Sequence, residues 1–398
     1  MHRSLPGFSS LASFIREQIL RHGPVPFSWF MEQALYHQQH GYYSTPRTRI
    51  GRAGDFDTNV SIGKTFGQIL AAQILEMWSA LGKPPDFSII EQGAEDGQLA
   101  IDILCAIENA PDPTIEFTYT IVEPIGSKRT EQRSRLKNCF PGKIRWVANV
   151  ADLRAINGVF ISNELVDAMP VHLLEYGESR WYELYVTCSE KAFAFVSSPI
   201  LSSGLADAVK KLPVPVNTPY RTEVNLSALR WMSEIASRLQ NGFVLTVDYG
   251  YSRDEYYKAD RMGGTLACYS GHRRSFNPLE DPGGIDITAH ADFTSLAESA
   301  ECAGLHLAGY TDQHHFMVGA TESYLRQIER ENGLSGLQPY QHRFLRKLQT
   351  LMHPANMGMA FKCLLLATSA ELQAPSGFKY APEPRHALGL RPFTGNAG

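Results

Sequence analysis

Apolar residues recur at helical spacing between positions 64 and 81: Phe66, Ile69, Leu70, Ile74, Met77, Trp78 and Leu81 share one face, and Gln68, Gln73 and Glu76 stand off it. That stripe predicts a helix laid against a core. Upstream, residues 9–21 and 27–36 read as two shorter helices, followed by the glycine-dotted loop HGYYSTPRTRIGRAGDFDT. From residue 87 the texture changes to short apolar runs separated by helical stretches. FSIIEQG, FTYTIVEP, IRWV, GVFISNEL and FVLTVDYG read as five strands, with GQLAIDILCAI and residues 126–138 as helices between them. Strands alternating with helices imply βαβ units. The fold expected is α/β, a doubly wound, Rossmann-like sheet, mostly parallel, with helices on both faces.

Between the fourth and fifth strands, RWYELYV and KAFAFVSSP alternate as an antiparallel hairpin would; a Pro-rich piece (LPVPVNTPY) and a helix over 226–239 follow. Beyond Gly250 the reading is a loop carrying Arg273, Arg274, Gly283 and Gly284, helices near 291–303 and 320–331, and a late strand, FKCLLLA. The expected division is a helical segment with a cofactor-covering loop over 1–63, core over 64–180, an insertion over 181–240, core again over 241–367, and a tail over 368–398. The tail has Pro375, Pro382, Pro384 and Pro392 without periodicity, so a surface-draped or mobile segment is expected there.

Charge and composition then narrow the field. With 37 Lys+Arg against 41 Asp+Glu and a net charge of −4, the 398-residue chain lacks the basic footprint of a nucleic-acid binder. No apolar run approaches the roughly 18 residues of a membrane span. The first residues offer no uninterrupted apolar stretch, so a secretory signal is not expected. Cys105, Cys139, Cys188, Cys268, Cys302 and Cys363 are scattered without a C-x-x-C pair, which fits neither a zinc site nor a disulfide scaffold. A reduced, cytoplasmic setting is the expectation. His37 and His40, and the adjacent His314 and His315, lack a third partner, so no metal is expected.

The chemistry gathers at strand ends. Glu91-Gln92-Gly93-Ala94-Glu95-Asp96-Gly97 joins the first strand to its helix, with Gly93 and Gly97 where a ligand-facing turn needs freedom from Cβ. Glu95 and Asp96 would repel a pyrophosphate, yet they suit a cationic ligand. An ordinary strand–helix turn fits the spacing as well. Glu123 ends the second strand, where a carboxylate can accept from both hydroxyls of a ribose. Turn and acid together favour a ligand with adenosine but no phosphates, and S-adenosylmethionine is the natural candidate. Glu164 and Asp167 follow the fourth strand, three residues apart, where two carboxylates can converge on a cationic nucleophile; Asp167 could equally be a helix cap. Asp248 ends the fifth strand, and Asp55 sits in the early loop between Gly54 and Phe56.

Several longer motifs stand in one order: FMEQALYHQQHGYYS, IGRAGDFDT, ISNELVDAMPVH, VDYGY, GTLACYSGHR and DITAHADF. Over about residues 10 to 367 the chain resembles the MidA-like S-adenosylmethionine-dependent methyltransferases, whose mitochondrial members are complex I assembly factors. The resemblance implies a methyltransferase sheet with a substrate-covering insertion and a protein arginine as substrate. It further implies that Gly93, Ala94 and Gly97 line the methionine side of the cofactor and that Glu123 holds its ribose, with Glu91 also among the cofactor-binding residues. Asn149 to Asp152, Asn149 and Val150 first among them, would flank the adenine, and Asn163 and Glu164 would face the reacting centre, with Asp167 and Asp55 as further carboxylates for a guanidinium.

Three stretches depart from that pattern. The family's turn E-L-G-P-G-R-G is E-Q-G-A-E-D-G here, and Glu95 in place of the central glycine disfavours a positive φ. Ser61 replaces the glutamate of T-A-P-E-I-S, and Ala267 replaces the arginine of G-T-L-R-C-Y. Besides a protein-arginine methyltransferase, two readings therefore stay open: a methyltransferase of a small molecule or another residue type, and a non-catalytic assembly factor with a degenerate cofactor site.

Overall fold

The computed structural model describes residues 10–45, 58–110, 115–137, 139–270, 273–275, 277–332 and 336–390. The chain divides into two compact units: Met1–Phe56, Val166–Arg230 and Arg253–Asp292 form one, and Asp57–Leu165, Trp231–Ser252 and Phe293–Gly398 the other.

In the second unit the apolar runs after residue 87 become the strands β1 (Phe87–Gln92), β2 (Phe117–Val122), β3 (Ile144–Val147), β4 (Ile156–Asn163) and β5 (Leu239–Tyr251). β6 (His306–Asp312) and β7 (Phe361–Ala367) complete a sheet of order β3-β2-β1-β4-β5-β7-β6. The first five strands pair in parallel, and β7 runs antiparallel to β5 and β6. The helices α1 (Thr65–Ala80) and α2 (Gln98–Glu108) bury their apolar stripes in one core with the sheet, including Ile74, Ile103, Ile89, Tyr119, Val159 and Leu245. The order reverses beside β1, which lies between β2 and β4, with Gln92 opposite both Val122 and Ser162. The carboxyl ends of β1, β2 and β4 therefore finish level at the switch point, where open α/β sheets bind their ligands.

The sequence pattern misses β6 and a helix at Pro339–Met352. The first has no clean alternation in HLAGYTD, and the second spreads its buried Leu348 and Leu351 among basic residues. The tail is also not draped or mobile over its described part. Ser376 and Gly377 are held by Glu76 and Gln73, Phe378 packs edge-on against Phe316 with ring centroids 5.4 Å apart, and Thr294 donates to the Leu388 carbonyl at 2.7 Å. Aperiodic Pro-rich sequence gives no sign of such contacts, because they are made one residue at a time. Phe378→Ala is expected to destabilise the protein by about 3 kcal/mol, as buried aromatic truncations do; an unchanged urea midpoint would show that the tail adds no stability.

The first unit has its own core. The helices Ser10–His22 and Phe27–Tyr36 bury Leu11, Ile15, Phe27 and Phe30 with Leu173, Leu184 and Val186 of a five-stranded antiparallel sheet. The expected hairpin supplies two of its strands, Arg180–Cys188 and Phe193–Ser198, with Glu183 opposite Ser198. His172–Gly177, Tyr220–Val224 and Val25–Pro26 are the others. The stretch read as a loop beyond Gly250 contains a three-stranded sheet, with Ala267–Ser270 between Arg273–Ser275 and Asp286–Thr288. The N-terminal helices thus share a core with the insertion, which boundaries at 63 and 181 do not express. Among the described residues no helix is long and apolar enough to cross a membrane.

Candidate active site

The turn after β1 places Gly93 at φ 86° and Gly97 at φ 83°, both left-handed. A Cβ on Gly97 would also stand 2.8 Å from the Leu136 side chain, so backbone and packing both call for glycine there. Glu95 adopts φ 45°, although a side chain disfavours that region by about 1–2 kcal/mol. The expectation that glutamate would resist a positive φ is corrected by its surroundings: its carboxylate pairs with Lys128 and its carbonyl accepts from Gln132 Nε2 at 2.8 Å. Ala94 is buried in the main core cluster.

Glu91, at the end of β1, is buried and accepts from the Tyr119 hydroxyl at 2.7 Å; burial pushes its carboxyl up to about 7. Glu123 follows β2 and is also buried. Its Oε1 accepts from the Ile125 amide at 2.9 Å and its Oε2 from Gln132 Nε2 at 3.1 Å. Loss of hydration raises the Glu123 pKa, with the Lys128 ammonium pulling the other way. A carboxylate offers about four acceptor sites, so each oxygen keeps capacity for a ribose hydroxyl. After β3, Asn149 and Asp152 cap the short turn Val150–Asp152, the Asn149 amide donating to Asp152 at 3.0 Å, and Val150 is buried.

Glu164 follows β4 in a left-handed conformation, φ 52°, and is half-buried. A non-glycine residue held there marks a position that the surrounding structure over-determines. Its Oε1 accepts from the Asn59 amide at 3.1 Å and from Asn163 Nδ2 at 3.0 Å, and Asn59 Nδ2 donates to Asn163 Oδ1 at 3.2 Å. Desolvation pushes the Glu164 carboxyl up to about 8, with the Asp248 charge adding to the rise. Asp248 is buried and accepts from the amides of Leu165 at 3.0 Å and Tyr249 at 2.8 Å.

The fold gathers Glu91, Gly93, Ala94, Gly97, Glu123, Asn149, Val150, Asn163 and Glu164 into one unit, on the ends of β1 to β4 and the turns that follow. Asp167 falls in the other unit, where its carbonyl accepts from the Ala289 amide at 2.9 Å and its charge adds to the rise that burial and then Asp286 give the Tyr43 hydroxyl. Asp248 is a second carboxylate whose charge acts on Glu164. Asp55 lies outside the described residues. Sequence reasoning missed Asn59, fully buried, whose Oδ1 meets no donor among the described residues. The one signal was its place in T-N-V-S-I-G, where the family pattern has alanine. Ser61, in place of the family's glutamate, closes a local turn: its hydroxyl donates to the Thr58 carbonyl at 2.8 Å. Among the described residues no group of three or more His, Cys, Asp and Glu side chains could hold a metal ion.

A sheet of this order with an antiparallel β7, a glycine turn after β1 and an acid at the tip of β2 is a Rossmann-like core that suits a nucleoside ligand at the strands' carboxyl ends. The family described as "Putative S-adenosyl-L-methionine-dependent methyltransferase" matches residues 69–311, and the chain belongs to it. A Drosophila melanogaster relative named "Protein arginine methyltransferase NDUFAF7 homolog, mitochondrial" is 29% identical, covering 90% of this chain and 85% of its own. The Homo sapiens protein arginine methyltransferase NDUFAF7, mitochondrial, is 26% identical over 93% of this chain and 85% of its own. A crystal structure from Burkholderia thailandensis bound to S-adenosyl-homocysteine superposes with a TM-score of 0.80 at 29% identity, over 96% of this chain and 99% of that one. The protein is an S-adenosylmethionine-dependent methyltransferase with a Rossmann-like sheet.

Proposed function

We propose that the protein transfers a methyl group to an arginine side chain of a protein substrate. The observation that carries the reading is Glu164, a half-buried carboxyl at the end of β4 that burial pushes up to about 8. A desolvated carboxyl is stabilised most by an incoming cation, and a guanidinium is a cation with paired donors that match a carboxylate. The names of the relatives agree with it. S-adenosylmethionine, when bound, supplies the electrophilic sulfonium methyl. Around it, Glu123 would hold the ribose, Glu91 and the Gly93–Gly97 turn the methionine side, and Asn149 and Val150 the adenine side. Deprotonating a guanidinium beforehand is unfavourable, since its pKa is above about 12. Glu164 would instead pin it so that one nitrogen faces the methyl, with Asn59 and Asn163 holding the carboxyl in place; alignment is a large part of such a displacement. Asp167 and Asp55 are proposed as supporting carboxylates on the substrate side.

Ser61 and Ala267, in place of the family's charged residues, favour the second reading, a small molecule or another residue type as acceptor. The pairing of Glu95 with Lys128 supports a working cofactor turn over a degenerate one. A reduced, cytoplasmic setting remains our proposal for the compartment, beside relatives named mitochondrial; six cysteines, none of them in a disulfide, suit either. Incubating the protein with labelled S-adenosylmethionine and lysate protein is expected to yield methylarginine on digestion. Label appearing only in small molecules, or on other residue types, would replace the arginine reading with the second.

A further inference from the structure

The helix α3 (Gly126–Leu136) buries a face that apolar packing does not explain: its buried residues are Lys128, Gln132 and Leu136. Lysine and glutamine are seldom buried without specific partners, and here the partners lie in the cofactor turn. Lys128 pairs with the Glu95 carboxylate. Gln132, fully buried, donates through Nε2 to the Glu95 carbonyl at 2.8 Å and to Glu123 Oε2 at 3.1 Å, and its Oε1 accepts from Trp146 Nε1 at 3.1 Å. One turn on, Arg135 pairs with the Asp96 carboxylate and donates to the Asp96 carbonyl at 3.1 Å. Residues 128, 132 and 135 are spaced four and three apart, so they form one stripe along the helix.

We propose that this stripe is a clamp that sets the cofactor turn in place of the missing glycine, with Gln132 and Lys128 as positioning residues. Glycine would reach the left-handed conformation at position 95 unaided; glutamate needs external groups to hold it. Lys128 and Gln132 hold its two ends, the carboxylate and the carbonyl. Lys128 and Arg135 also neutralise the two acidic side chains that would otherwise crowd the turn with negative charge. Gln132 adds a coupling: the same amide nitrogen serves the turn and the Glu123 carboxylate, so the groups assigned to the methionine side and to the ribose are registered to each other. The proposal rests on the assignment of these groups to the cofactor.

The test is calorimetric binding of S-adenosylhomocysteine to the full chain and its variants. Gln132→Met keeps most of the packing volume and removes the amide; about tenfold weaker binding is expected, the scale of a buried hydrogen bond to a charged group. In a Glu123→Ala background the same change should cost less than about twofold, because one of its two recipients is gone. Lys128→Met should also weaken binding, Lys128→Arg should largely preserve it, and Glu95→Gly should rescue Lys128→Met. A merely structural role would lower the melting temperature without that rescue. Undiminished affinity in Gln132→Met, or no rescue by Glu95→Gly, would overturn the clamp while leaving the cofactor assignment standing. Failure of the wild type to bind would instead defeat the cofactor assignment and the clamp with it.

Discussion

Glu164→Gln is expected to leave S-adenosylhomocysteine binding intact, to lower methyl transfer by about a hundredfold or more, and to make the protein more stable above pH 8. The loss of turnover follows from removing the charge that would hold a cationic acceptor, while glutamine keeps a carbonyl for the Asn59 and Asn163 donors. The gain in stability follows from linkage. The folded carboxyl titrates near 8 and its ordinary value is 4.5, so between those pH values the folded chain keeps a proton that the unfolded chain has released. Stability from this group is fully present below pH 4.5 and falls as pH rises through 8. Glutamine removes the fall, on the order of a few kcal/mol at the alkaline end. Urea unfolding at both ends of the window checks it: variant and wild type should be alike at the acid end and part at the alkaline end. Equal stability throughout would mean that Glu164 is hydrated, and equal turnover would remove it from the mechanism.

Glu123→Ala is expected to weaken S-adenosylhomocysteine binding by about a hundredfold, the combined effect of losing the two charge-assisted hydrogen bonds that its proposed role would make to the ribose. Glu123→Gln should fall between, since an amide offers one acceptor oxygen where the carboxylate offers two. Part of the alanine loss would come from freeing the Ile125 amide and Gln132 Nε2, which Glu123 now accepts from. Comparing binding of the full nucleoside with an analogue lacking the ribose hydroxyls separates the two. If both ligands lose affinity equally, Glu123 acts through the turn and not through the ribose.

The placement of much of this candidate site at strand ends was legible along the chain. The residues on β1, β2 and β4 could be placed because strand-to-turn transitions are written locally, in apolar runs that end at Gly, Pro or an acid. Glu91, Gly93, Gly97, Glu123 and Glu164 stand at such transitions. Asn59, by contrast, stands in a short mixed stretch where no local pattern marks it as the partner of a residue 105 positions away.

The sequence by itself determined the alternation of strands and helices, the parallel sheet, and the carboxyl edge on which the acids sit, because a hydrophobic period and its punctuation are local properties. Only the tertiary structure decided that Glu95 can hold a left-handed turn, that the Asp248 charge acts on Glu164, and that the Pro-rich tail packs around Phe316. The physical reason is common to all three. Backbone strain, carboxyl burial and single-residue packing depend on groups brought together from distant parts of the chain: Lys128 and Gln132 for Glu95, Asn59 for Glu164, and Gln73 and Glu76 for Ser376 and Gly377.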